Sequence, residues 1–123
     1  MMRDAIRDIK MAYNLAKKKF KELKITQLTK IKDGLRNVNT DVLTVSNVEN
    51  IEYPKGREKK VATRLIVKDE EENEGIFYLF DNRGLGIQPG VKIKIVKGYV
   101  KTFDFSNETA LTISSKGNVY IVL

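Results

Sequence analysis

Hydrophobic and polar residues follow two different rhythms along this chain, and the change comes near residue 25. In residues 2–24 there is no Gly or Pro, and Ile6, Ile9, Tyr13, Ala16, Phe20 and Leu23 recur at steps of three and four. That period places them on one stripe of a helix. Asp4 and Asp8 stand near its start and Lys17, Lys18, Lys19, Lys21 and Lys24 near its end, as the helix dipole favours. The spacing predicts an N-terminal α-helix whose apolar stripe is buried, because a soluble chain rarely leaves such a strip exposed. The cover is either the protein's own body or the same stripe of a second copy, so the expected state is a monomer or a homodimer through the helix.

From Ile25 onward the apolar residues gather into short β-type runs between turn residues. The first is Val42–Val48, extending towards Tyr53 and broken by Pro54-Lys55-Gly56-Arg57. Val61–Val67 and Ile76–Phe80 are the second and third. A fourth run, from Val91 to Phe103, is interrupted at Gly98, where a bulge or a sharp coil is expected. Thr109–Ser114 is the fifth, and Val119–Leu123 reads as its extension past the Lys116-Gly117-Asn118 turn. Gly84, Gly86, Pro89 and Gly90 leave room for at most one helical turn in residues 82–90. Five strands, with a long first one and a gap after the third, predict an all-β, five-stranded barrel of the oligonucleotide/oligosaccharide-binding (OB) fold. The expected organisation is a basic amphipathic helix over 1–24 followed by an OB-fold domain over 25–123.

Composition narrows the function. The 123 residues make one domain of 14.1 kDa with no Cys and no His. Thiol nucleophiles, imidazole bases and the usual zinc sites are therefore excluded. No run approaches the roughly 20 apolar residues that span a bilayer, and no signal-peptide apolar region follows Met1-Met2-Arg3-Asp4. A cytoplasmic, nucleoid-associated protein without membrane contact is expected. The net charge is +7, and residues 1–24 hold eight basic against three acidic residues. Five carboxylates are segregated in Asp69-Glu70-Glu71-Glu72-Asn73-Glu74. A basic chain with its acids gathered in one loop suits a polyanion partner.

Strand parity locates the candidate site. Successive side chains of a strand point to opposite faces, so if Phe77 and Leu79 face the core, Tyr78 and Phe80 lie outside. Tyr99, Lys101 and Phe103 then share the outer face of the fourth run, with Val100 opposite. Aromatics interleaved with cations are the pattern of a platform that stacks single-stranded bases. Tyr78 fits either the core or this patch, and Phe105 either stacks or tucks under the barrel rim. Arg64, sharing a face with Ala62 and Ile66, is placed to reach a phosphate. Lys55, Arg57, Lys59 and Lys60 line the first loop and together form a candidate phosphate track. The acidic loop lacks the spacing of a calcium site, and neither a phosphate-binding loop nor a dinucleotide fingerprint occurs. No enzyme activity, cofactor or metal is expected.

Two segments also resemble a known family. Lys30-Ile-Lys-Asp-Gly-Leu-Arg-Asn-Val-Asn39 is similar to the lead-in segment of replication-protein-A-type OB domains. Asp81-Asn-Arg-Gly-Leu-Gly-Ile-Gln-Pro-Gly90, followed by Lys97-Gly98-Tyr99 and Phe103, resembles the simple single-OB, single-stranded DNA-binding proteins of archaea and metazoa. The resemblance covers roughly residues 28–117. It implies base stacking on Phe80, where the family usually has Trp, and on Tyr99 and Phe103. At Ser114, where a further aromatic is expected, the sequence departs from the pattern. The implied function is non-specific binding of single-stranded DNA in replication, recombination or repair. An RNA-binding OB module, and an assembly subunit whose helix and barrel engage replication or repair proteins, remain the alternatives.

Overall fold

The computed structural model describes residues 25–123. The helix expected over 1–24 lies outside the described residues. Seven strands form one sheet: β1 (Leu43–Lys55), β2 (Glu58–Lys68), β3 (Glu74–Leu79), β4 (Lys92–Val96), β5 (Tyr99–Phe103), β6 (Glu108–Thr112) and β7 (Asn118–Val122). Their order is β5-β6-β3-β2-β1-β4-β7. Strands β4 and β5 sit near opposite ends of that order, yet only Lys97 and Gly98 separate them in the chain. The sheet must therefore curl round on itself.

The strand count corrects the expectation of five, and two local causes account for it. Lys97 adopts a left-handed backbone, φ 56°. At Gly98 a Cβ would stand 3.1 Å from Leu111 Cδ1 and 3.2 Å from the Thr112 carbonyl oxygen. The interruption thus splits the fourth run into β4 and β5, which pair with different neighbours. Residues 118–122 do not extend β6. They turn back at Gly117, whose N–H donates to the Ser114 carbonyl at 3.1 Å, and pair antiparallel with β4 from Val96↔Asn118 to Lys92↔Val122.

The first loop is also shorter than expected. β1 continues through Pro54, and β1 and β2 stay in register to Lys55↔Glu58. A two-residue turn closes the hairpin, with Gly56 at φ 64° supplying the left-handed residue that such turns favour. Lys55, Lys59 and Lys60 are therefore strand residues on an arm that rises from the barrel.

Alternation fills the interior. Leu43 and Val45 of β1, Leu65 and Val67 of β2, Phe77 and Leu79 of β3, Ile93 and Ile95 of β4, Val100 of β5 and Leu111 of β6 all point inward and are buried. Leu28, on a single 3-10 turn (Leu28–Lys30), Val38, Ile87, from the connection after β3, and Ile113 complete this core. That connection contains one 3-10 turn, Asn82–Gly84, whose cap is Asp81 accepting from the Arg83 N–H. Among the described residues no helix is long and apolar enough to cross a membrane.

Residues 33–38 run along the edge of β5 that β6 leaves open. The Gly34 N–H donates to the Val100 carbonyl at 3.0 Å and the Val100 N–H to the Leu35 carbonyl at 2.8 Å. Val38 and Gly98 exchange both backbone hydrogen bonds, and Asp33 accepts from the Thr102 N–H at 2.8 Å. Arg36 and Asn37, between these anchor points, are exposed.

Candidate nucleic-acid interface

Strand parity carries the aromatic residues to the outer face. Phe77 and Leu79 enter the barrel core, while Tyr78 and Phe80 join Phe103 and Ala110 in a second, smaller cluster. On β5, Val100 points inward, and Tyr99, Lys101 and Phe103 alternate with it.

This outer face is not an open platform. Five rings interlock: Tyr53 stands edge-on to Phe80 at 4.9 Å between centroids, and Phe80 lies 5.3 Å from Phe103. Tyr78 is 4.9 Å from Phe103 and stacks on Phe105 at 5.8 Å. Tyr78 is 0% exposed and Phe103 8%, which corrects the expectation that Phe103 would be solvent-facing and shows Tyr78, left open between core and patch, to be buried. The cover comes from two places. The β1–β2 arm brings Tyr53 over Phe80, and the turn after β5 folds Phe105 back onto Tyr78. Phe80, Tyr53 and Phe105 stay half-buried and form the accessible rim of the cluster. Tyr53 shares a parity with Glu49 and Ile51 on the outer face of β1, the signal by which it could have been found. The position of Phe105, in a turn, had no such signal.

Arg64 is also placed differently from its expected role. Its Nε and Nη2 donate to the two Glu108 carboxylate oxygens at 2.9 and 2.6 Å, and its Nη1 donates to Glu49 Oε1 at 3.0 Å. The Tyr78 hydroxyl donates to Glu108 and lies 2.9 Å from Ser106 Oγ. A guanidinium held by two carboxylates offers a phosphate little charge. The Arg64 hydrogen bonds hold the Glu108 carboxyl below its usual range, although burial opposes them. Burial first, and the bond to Glu108 second, push the Tyr78 hydroxyl up. This network fastens β1, β2, β3 and the start of β6 beneath the rings.

The remaining cations divide by position. Lys101 is exposed, its ammonium 5.7 Å from the Phe103 ring centroid. On the arm, Tyr53 pairs with Lys60 and Lys55 with Glu58, so Lys55 and Lys60 share the ring face. Lys59, opposite Pro54, faces the other way, and Arg57 occupies the turn. All four are exposed, and Lys60 lies 3.4 Å from Glu58.

Tyr99 stands apart from the five rings. It is half-buried beside Gly98, on a groove of about 750 Å³ between residues 34–37 and the turn from β4 to β5. Ser114 also lines this groove, where its small side chain leaves the space open.

No family model matches the sequence, nor does any curated protein. Solved structures do. The chain is similar to the OB domain of Ta0387 from Thermoplasma acidophilum, at 14% identity and a TM-score of 0.56, over 79% of this chain and 80% of that one. It is also similar to a replication factor A related protein from Methanobacterium thermoautotrophicum, at 10% identity and a TM-score of 0.60, over 80% and 91% of the two chains. At such identities the likeness speaks for architecture alone, and with the curled sheet described above it gives this chain an OB fold.

Proposed function

We propose that this protein is a non-enzymatic OB module that binds single-stranded DNA with little sequence preference. The observation that carries the reading is the outer face itself. Half of the ten aromatics of the chain gather there, flanked by exposed Lys55, Lys60 and Lys101. Bases stack first on the accessible rim of Phe80, Tyr53 and Phe105 and on Tyr99, while exposed lysines meet the phosphates. Phe103 and Tyr78 support the rim from below, and their own faces reach a base only when the arm or the turn carrying Phe105 moves. Replication, recombination or repair is the setting that fits, given that one structural neighbour is a replication factor A related protein.

The test is a titration of fluorescent 12-nucleotide oligothymidine against matched duplex and matched oligouridine. Tight binding of the single strand and weak binding of the duplex are expected. Equal affinity for the duplex would overturn the reading, and preference for oligouridine would transfer it to RNA. A second reading, an assembly subunit, is favoured by one feature. β7 ends the order of the sheet and carries Ile121 at 55% exposure, an apolar edge open to a partner strand. Mass measurement in solution distinguishes a self-associating chain from a monomer.

A further inference from the structure

We propose that the groove beside Tyr99 is a second strand-binding subsite, one that grips the backbone of single-stranded DNA after the bases have left the ring cluster. The proposal rests on the reading of the outer face as a single-strand site and adds where the phosphates go.

Charge is the first argument. Arg36, Lys97, Lys101 and Lys116 line the groove, and among the described residues no carboxylate does. Among the described residues, none of these four takes part in an ion pair. On the opposite flank of the rings, Arg64 is held by Glu49 and Glu108, and Glu52 stands beside them on the same surface hollow. A polyanion crossing the ring cluster is repelled at this acidic hollow and attracted by Lys55 and Lys60 on the arm and by the cations along β5. The electrostatics thus favour the groove over the hollow.

The second argument is that the groove is already built. Asn39, 7% exposed, ties its two walls together. The Asn39 amide donates to the Asn37 carbonyl at 3.2 Å, and its oxygen accepts from the Lys97 N–H at 3.0 Å. Asn37 and Lys97 both hold left-handed backbones, φ 53° and 56°, conformations that cost energy in non-glycine residues and persist only where the surroundings fix them. The volume of about 750 Å³ lies within the ordinary range of ligand sites, roughly 300–1,000 Å³. The backbone walls of the groove are thus fixed before a strand arrives, while the exposed side chains of Arg36, Lys97, Lys101 and Lys116 order on binding.

Spacing gives the third argument. Tyr99 and Phe103 share one face of β5, four residues apart, or about 13 Å at roughly 3.3 Å per residue. At about 3.4 Å per stacked nucleotide, this is the length of about four nucleotides. A strand of about four nucleotides therefore spans the rings as far as Tyr99, and only a longer one runs on past it to Arg36, Lys97 and Lys116.

The experiment compares wild type with the triple variant Arg36→Ala, Lys97→Asn, Lys116→Ala, in which Asn is chosen because it tolerates the left-handed backbone at residue 97. Oligothymidines of 4 and 12 nucleotides are titrated against both proteins over a salt series. The 12-mer should bind the variant about tenfold more weakly, with the log–log salt slope reduced by about 2, the sum of three contacts at about 0.7 each. Binding of the 4-mer and the melting temperature should stay as in wild type. A variant that binds the 12-mer like wild type overturns the subsite and leaves the ring-cluster reading standing. Equal losses for both lengths overturn it too, because the groove would then be the primary site. A wild type that binds neither oligomer removes both proposals together.

Discussion

Phe80 and Phe103 belong to the same cluster, but substituting them should have different consequences. Phe80 is half-exposed on the rim, so Phe80→Ala should weaken single-strand binding by about 1–3 kcal/mol, the worth of one stacked base, with folding kept. Phe103, 8% exposed and packed against Tyr78, Phe80 and Phe105, should lose about 3–5 kcal/mol of stability when truncated to Ala. Denaturant unfolding beside an oligonucleotide titration separates the two; equal stability losses would show that Phe80 is core. Glu108 gives a pH signature. Its carboxyl is held below the usual range by Arg64, so its contribution is present above the unfolded-state value of about 4.3 and is lost as pH falls through the lower folded value. Asp81, held down by Arg83, acts in the same direction. Stability measured from pH 6 down to pH 2 should fall, and Glu108→Gln should make that fall shallower.

At the scale of elements, the β1–β2 arm and the split strand β4–β5 position the residues of the proposed site. The arm presents Lys55 and Lys60 on the ring face and Lys59 on the other, because cross-strand partners share a face. The pair Lys55→Ala and Lys60→Ala should reduce the salt slope for a 12-nucleotide strand by about 1.4, while Lys59→Ala should leave it unchanged. Equal effects from Lys59 would mean that the arm twists further than its register implies. The face assignments on β3 and β5 were legible in the sequence, since a period of two is local and Phe77, Leu79 and Val100 disclose it. The break at Gly98 was legible as an interruption. Its result was not, because whether two half-strands share one partner depends on residues far away in the chain. β7 shows this most clearly: its partner β4 is fixed by which edge remains open once β1 and β6 are placed.

For the whole molecule, the described residues of this basic chain form an OB fold, and the face proposed for the ligand is covered by its own aromatics. The sequence predicts a helical stripe at Ile6, Ile9, Tyr13, Ala16, Phe20 and Leu23, outside the described residues. If that stripe is buried, deleting residues 1–22 should lower the melting temperature more than it lowers affinity for a short oligonucleotide, and an unchanged melting temperature would refute it. The sequence by itself determined what depends on near neighbours: the β-type runs, their inward and outward faces, the segregated charges, and the absence of Cys and His chemistry. Only the tertiary structure decided which outward residues stay accessible. Tyr78 is sealed by Phe105 across the turn after β5, Phe80 is lidded by Tyr53 from the β1–β2 arm, and Arg64 is occupied by Glu108 forty-four residues later. Parity tells a side chain which way to point. What it meets there is set by chain closure between distant segments, and no local pattern encodes that.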